Sequence, residues 1–339
     1  MGTDLAELRL GVVGCGYIAR TLSGHAATIE GVCVAAVCDP NRMAAEELAS
    51  RLGARAVQDL EQLLEDPGLH AVVLATPNHL HADQAVRAAR AGKHIFCEKP
   101  MALNLADCDR MIRAAEEAGV RLMVGHVVRF FPVFRRCHEL ATSGELGQPL
   151  AVSIRRVTSG LQGFSAGWRS RMETSGGVLL EVHAHELDYL RCLCGDVETV
   201  YAQSARIALD ASLGYDDTYY LTLRFRNGAL GRLEASIASA IGEYRMMVQG
   251  SEGTLTNGGF GGPIQFCRLG SETPALEVPD VPMEDPYRRE LRLFTEAVRE
   301  GKEPPVTGRD GRAAVELALA AYRSAQLGTP VRLPMADTT

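Results

Sequence analysis

The stretch Leu8-Arg9-Leu10-Gly11-Val12-Val13-Gly14-Cys15-Gly16-Tyr17-Ile18-Ala19 decides the fold. An apolar run ends in glycines, and a helical pattern opens directly behind them. The spacing from Gly14 through Gly16 to Ala19 is G-x-G-x-x-A. In such a turn Gly14 permits the sharp strand-to-helix bend, Gly16 lets a pyrophosphate approach the backbone, and Ala19 lets helix and strand pack closely. The helix start at Gly16, Tyr17 and Ile18 would turn unpaired N–H groups and a partial positive charge toward the phosphates. A downstream acid completes the pattern. Asp39 ends the next apolar run, roughly 20 residues beyond Gly16, where a ribose-binding carboxylate belongs. It can accept from both adenosine ribose hydroxyls and would repel a 2′-phosphate. NAD is therefore expected over NADP, although nearby Arg42 is a group that could cradle that phosphate.

Working outward, the first third of the chain alternates buried runs with amphipathic ones. Strand signals fall at 8–13, 32–38, 71–75, 94–97 and 121–124. Helical patterns lie between them at 18–30, 42–52, 80–91 and 105–118. Short buried runs between amphipathic helices predict β-α-β units and a parallel, doubly wound Rossmann sheet. After Gly125 the rhythm changes. A helix is expected over 132–142, then strands over 151–157, 197–207, 218–225, 229–237 and 244–249. Asn227-Gly228 marks a hairpin, because both residues tolerate positive φ. Leu221, Leu223 and Phe225 alternate with polar residues, so one face of that strand is buried. Helices over 287–300 and 312–327 close the chain. The reading is thus α/β: a dinucleotide-binding domain over 1–125, and an α+β substrate and oligomerisation domain over 126–339 with a mostly antiparallel open sheet.

Composition narrows the function classes. A net charge of -7 with no Lys/Arg run argues against nucleic acid or an anionic membrane as partner. No apolar run reaches the ~18 residues a membrane span needs. Residues 1–9 have neither the apolar core of a signal peptide nor the basic character of a transit peptide, and the expected compartment is the cytoplasm. Nine cysteines, an odd count scattered through apolar runs, fit reduced core thiols. Cys192 and Cys194 lie near His183 and His185, but no second cysteine pair completes a tetrahedral set, so no metal is expected.

Cys97-Glu98-Lys99-Pro100 falls at the carboxyl end of a sheet strand, where open α/β sheets bind ligands. A lysine there can donate to a substrate hydroxyl or carbonyl. By itself the tripeptide Glu-Lys-Pro is common on protein surfaces. Taken with the other motifs in order, however, the chain resembles the Gfo/Idh/MocA (glucose–fructose oxidoreductase, inositol dehydrogenase, rhizopine catabolism) family. The resemblance rests on Gly14-Cys15-Gly16, Ala75-Thr76-Pro77-Asn78-His79-Leu80-His81, Glu98-Lys99-Pro100, Val124-Gly125-His126 with Arg129-Phe130, and Trp168-Arg169. It continues through Gly176-Gly177-Val178-Leu179-Leu180-Glu181 to His185 and Asp188, then Pro286-Tyr287 and Val306-Thr307-Gly308-Arg309-Asp310-Gly311.

The resemblance implies a catalytic Lys99, Glu98 against the nicotinamide ribose, and a cis bond before Pro100. It implies that Thr76, Asn78 and His81 border the cofactor and that Trp168-Arg169 contacts it. It also implies Glu181 and His185 as an acid and a histidine serving the substrate. The i, i+4 spacing of that pair would place both on one helical face. Glu181 stands where the family commonly has aspartate, and His183 where it commonly has a small residue. His126 and Arg129 are further candidates to line a substrate cleft, with a structural ion pair as the alternative for Arg129. The expected reaction is hydride transfer between the nicotinamide and a secondary hydroxyl or keto group of a sugar or cyclic polyol, with His185 or Lys99 as the base. Alternatives are a non-catalytic dinucleotide sensor, and a glycoside hydrolase or epimerase working by transient oxidation. An open sheet with an apolar outer face needs cover, and the resemblance implies a homodimer or homotetramer through it.

Overall fold

The computed structural model describes residues 7–164, 166–210, 214–277 and 284–335. They form two compact units. The first runs to Val127 and takes in Glu284–Arg312; the second begins at Val128 and resumes at Ala313.

In the first unit, β1 (Leu8–Val13), β2 (Val32–Cys38), β3 (Arg55–Val57), β4 (Ala71–Leu74), β5 (His94–Glu98) and β6 (Leu122–Gly125) form one sheet in the order 3-2-1-4-5-6. Every pair in it is parallel. Helices α1 (Tyr17–Ala26), α2 (Arg42–Leu52), α3 (Leu60–Leu64), α4 (His81–Arg90) and α5 (Leu105–Ala118) make the crossovers. Asn41, Asp59 and Asn104 cap α2, α3 and α5 by accepting an N–H from the first turn. Strand order reverses between β1 and β4, so the carboxyl ends of these two strands open the crevice where such sheets bind ligands. The edge strand β3 lies outside the expectation. It spans three residues and only Val57 is buried, which leaves no pattern to detect.

The second unit carries α6 (Pro132–Thr142), β7 (Pro149–Val157), and three short helices, α7 (Met172–Ser175), α8 (Gly177–Glu181) and α9 (Ala184–Cys194). Strands β8 (Val197–Ala205), β9 (Thr218–Phe225), β10 (Leu230–Ser236), β11 (Glu243–Gly250), β12 (Gly253–Asn257), β13 (Ile264–Arg268) and β14 (Ala275–Glu277) follow. With β15 (Val331–Arg332) they form a nine-stranded sheet in the order 14-13-12-11-7-10-9-8-15. The pairing is antiparallel except between β7 and β10. The Asn227-Gly228 turn joins β9 to β10, with Gly228 at φ 88° and the Asn227 side chain accepting the Ala229 N–H at 3.0 Å. Leu221, Leu223 and Phe225 are buried on the face that α9 covers, as their alternation requires. The opposite face is more polar than the open-sheet expectation supposes. It carries Arg155 paired with Glu234 (3.2 Å) and Glu243 (3.0 Å), beside half-exposed Tyr220 and Leu230.

Helix α10 (Pro286–Glu300), within the segment 126–339, packs as part of the first unit. Its apolar stripe, Leu291, Phe294 and Val298, is buried, and the Phe294 ring meets Phe96 of β5 edge-to-face at 5.8 Å. Arg288 adds a 3.1 Å bond to the Thr28 hydroxyl. Helix α11 (Gly308–Leu327) starts in the first unit and continues into the second. Among the described residues no helix is long and apolar enough to cross a membrane.

Candidate active site

The cofactor edge of the first unit is built by the turns after β1, β2, β4 and β5. Gly14 sits at φ +95°, and a Cβ there would lie 2.6 Å from the Ala75 carbonyl oxygen. Only glycine fits, because the turn is left-handed and pressed against the start of the β4 loop. Gly16 differs. It caps α1 in extended geometry (φ -69°, ψ -176°), and a Cβ there would meet nothing within 4 Å. No side chain caps α1 and no acid lies in its first turn. The helix therefore keeps free amide hydrogens and an uncompensated positive end, beside open space. A pyrophosphate requires both. Tyr17 projects outward, largely exposed, and Ile18 lies behind it at intermediate exposure.

Asp39 straps this turn to β2. One carboxylate oxygen accepts the Cys15 N–H at 2.9 Å and the other the Asn41 N–H at 2.8 Å. Each oxygen keeps a second lone pair for a ribose hydroxyl. Arg42 is turned to Glu46 (Nε–Oε1 2.7 Å), so its charge is already matched on its own helix. Burial pushes the Cys15 thiol up to about 12, with Asp39 adding to the effect, and the thiol stays neutral in the turn. These residues fit NAD: a phosphate-sized opening at a bare helix end, next to a carboxylate for the ribose.

At the other half of the sheet, Thr76 donates to the Gln84 side chain (2.6 Å) and Asn78 is buried. His81, expected beside the cofactor, is fully buried. Its ring nitrogens lie 2.9 Å from the carbonyl oxygens of Pro100 and Thr76. It ties the loop after β4 to the loop after β5 and so holds the segment carrying Lys99. The Lys99–Pro100 bond is cis. Glu98 is buried and accepts the Lys99 backbone N–H at 3.1 Å, while Lys99 itself is partly exposed. His126, just past β6, is buried.

In the second unit, Trp168 and Arg169 occupy one turn of 3-10 helix, with the guanidinium 4.4 Å from the indole centroid. Arg169 Nε donates to Glu181 Oε1 at 2.7 Å, and the Tyr215 hydroxyl donates to the Arg169 carbonyl at 2.8 Å. Burial, with Glu181 nearby, raises the Tyr215 phenol to about 12. Glu181 and His185 do not share one continuous helix, which corrects the i, i+4 argument. Helix α8 ends at Glu181, α9 starts at Ala184, and Val182-His183 form the turn between them. Both side chains are buried.

His183 is internal. Its Nδ1 lies 3.4 Å from Glu186 Oε2, and Glu186 Oε1 accepts from Arg156 of β7 at 2.8 Å. Burial alone would raise the Glu186 carboxyl; Arg156 and His183 outweigh it and hold it below its ordinary range. Arg129 makes a two-pronged pair with buried Asp188 (2.7 and 2.5 Å), so its guanidinium is committed to the frame of the second unit. Tyr215 and Glu290 escape the sequence reading. Glu290 left a trace in the pattern Tyr287-x-x-Glu290-x-x-x-Phe294, a carboxyl placed on the apolar stripe of α10. Among the described residues no group of His, Cys, Asp and Glu side chains could hold a metal ion.

Comparison with known proteins places both halves of the chain in one family. Residues 8–126 match the family described as an oxidoreductase family with an NAD-binding Rossmann fold. Residues 138–333 match the C-terminal alpha/beta domain of the same family. The chain is 30% identical to myo-inositol 2-dehydrogenase of Thermotoga maritima, over 96% of its own length and 98% of that protein's. It is 31% identical to 2,7-anhydro-N-acetylneuraminate hydratase of Escherichia coli K12, covering 85% of this chain and 77% of that one. Among solved structures it resembles the WlbA dehydrogenase of Bordetella pertussis in complex with NADH and UDP-GlcNAcA. That likeness has a TM-score of 0.87 and 29% identity, over 98% of this chain and 99% of the other. With both halves matched in order, the chain belongs to the Gfo/Idh/MocA oxidoreductase family and carries its NAD-binding Rossmann domain.

Proposed function

We propose that this protein is an NAD-dependent dehydrogenase acting on a secondary hydroxyl, or in reverse a keto group, of a sugar or cyclic polyol. The observation that carries this reading is Lys99 itself: a partly exposed amine at the carboxyl end of β5, in a loop tied to the cofactor edge by His81. The relatives named for inositol and sugar-nucleotide substrates support a hydroxyl-rich substrate, as do the polar groups Glu181, His185 and Arg169.

In oxidation the substrate loses a hydride from carbon and a proton from oxygen, giving ketone, NADH and a proton. Bound NAD supplies the hydride acceptor. Gly14, Gly16, Tyr17, Ile18 and Asp39 hold its adenosine and pyrophosphate half. Thr76, Asn78 and Glu98 serve the nicotinamide half, with Trp168 and Arg169 as further contacts. Lys99 and His185 share the proton work: one polarises the oxygen and the other takes its proton. Glu181, oriented by Arg169, holds a neighbouring hydroxyl.

The test is an NADH-absorbance screen of inositols, hexoses and amino sugars with NAD and with NADP, run beside Lys99→Ala. The variant should bind NADH normally yet turn over at least ~100-fold slower. Normal turnover in Lys99→Ala, or no turnover on any substrate, would end the reading. The hydratase relative favours a second reading, in which transient oxidation labilises a bond and the hydride is returned. Substrate loss without accumulating NADH would select it. We also propose a homodimer or homotetramer, and a cytoplasmic location in keeping with cysteines that form no disulfide among the described residues. A monomeric mass in sedimentation would remove the assembly.

A further inference from the structure

One acidic side chain of the first unit has no assigned role. Glu290 of α10 is fully buried, and among the described residues neither carboxyl oxygen has a hydrogen-bond partner. The Phe96–Phe294 contact explains where it points. Glu98 lies two residues beyond Phe96 on the same face of β5, and Glu290 one turn before Phe294 on the same face of α10. The two carboxyls are therefore neighbours.

Among the described residues, the charges that bear on Glu290 are negative. Glu98 faces it from β5 and Asp285 from the helix cap. Tyr287, one turn of the same helix, feels Glu98, Glu290, Asp285 and Tyr17 of α1, and its hydroxyl is raised to about 12, first by burial. His25 of α1 is engaged by Asp285 at 3.2 Å. The arginines of α10 that would neutralise an acid turn elsewhere: Arg288, Arg289 and Arg292 converge on Glu284 at 3.0, 3.3 and 2.9 Å. A dry carboxylate beside a second carboxylate, with no donor and no cation among the described residues, does not keep its charge.

We infer that Glu98 and Glu290 act as one carboxyl pair holding a single proton, carried by Glu290. Burial and the neighbouring acids shift Glu290 well above the ordinary carboxylate range, in agreement with the geometry. The pair delivers one negative charge instead of two to the end of β5, and this inference does not depend on the dehydrogenase reading.

The sign follows from linkage. The folded protein keeps a proton that the unfolded chain releases above about pH 4.3, so the wild type loses stability as pH rises from there. Glu290→Gln keeps the shape of the protonated acid and removes this dependence. The advantage of Glu290→Gln in Tm over the wild type should therefore grow by about 3 °C or more between pH 5 and pH 8. The infrared C=O stretch of a protonated carboxyl should be present in the wild type at pH 8 and absent in the variant. A Tm difference that is flat or reversed in pH overturns the protonated pair. A carboxyl C=O stretch that Glu290→Gln leaves unchanged overturns it as well, and neither outcome touches the Lys99 result.

Discussion

Gly14 and Gly16 stand two residues apart in one turn, yet their geometry assigns them different work, and alanine at each position separates the two. At Gly16 the backbone is ordinary for any residue (φ -69°, ψ -176°), and an added methyl meets no protein atom within 4 Å. Alanine caps a helix less well than glycine but restricts the unfolded chain, and these effects offset to within about 1 kcal/mol. The apo protein should therefore melt close to wild type. The new methyl does occupy the space a pyrophosphate needs. Displacing the phosphates loses one charge-assisted N–H bond, about 2–3 kcal/mol, which weakens NADH about 30- to 150-fold. At Gly14 the order reverses. A left-handed alanine costs about 1–2 kcal/mol, and contact with main-chain oxygen, which has no rotamer to yield, adds about 1–3 more. Gly14→Ala should thus lose about 2–5 kcal/mol of stability before any cofactor is added. Urea unfolding of the apo proteins and NADH titration by fluorescence measure both quantities. If Gly16→Ala binds NADH within about threefold of wild type, or unfolds as readily as Gly14→Ala, the division of labour argued here is wrong.

Other outcomes follow from the second unit. Arg129→Ala strands the buried Asp188 carboxylate and should cost about 3–5 kcal/mol in urea unfolding; a loss under about 1 kcal/mol, with a large fall in turnover, would return Arg129 to the substrate. Asp217 is buried, which would raise its carboxyl, but the N–H groups of Ala208, Leu209 and Ile207 and the Thr218 hydroxyl hold it below the ordinary value. Its contribution is complete above the unfolded value near pH 3.9 and disappears as pH falls through the depressed folded value. Asp217→Asn should therefore destabilise the protein by about 2–3 kcal/mol at neutral pH and by progressively less in acid. A loss independent of pH would exclude ionic stabilisation at this site.

The parts of this protein written in local sequence were readable there. Strand β9 shows why: Leu221, Leu223 and Phe225 alternate with exposed residues, and Gly228 supplies the one positive φ of the Asn227-Gly228 turn. The cofactor turn was equally plain, since the constraints on Gly14, Gly16 and Asp39 come from steric and charge rules acting over a few residues. What stayed hidden depends on distant partners. His81 reads as a polar residue near a loop; only the approach of the Pro100 carbonyl, nineteen positions away, makes it a tie. The break between α8 and α9 is not visible in a run that looks uniformly helical from Val178 to Cys194. Strands β12 to β15 are short, and their pairing, not their composition, makes them strands.

Helix α10 carries the same lesson into function. By sequence position it belongs to the second half of the chain, and by its stripe of Leu291, Phe294 and Val298 it belongs to whatever apolar surface it meets. It meets α1 and β5, the helix that presents the phosphate site and the strand that ends in Glu98. A cut after residue 125 would leave Phe96 without its ring partner, open the back of the cofactor edge to water, and remove the residue that keeps Glu98 in company. The catalytic lysine proposed here thus depends on a helix nearly two hundred residues downstream in sequence. A chain that leaves the first unit, builds a second and then returns makes the first unit discontinuous in sequence, so α10 can dock on α1 and β5 only when the residues from Pro286 onward are part of the chain.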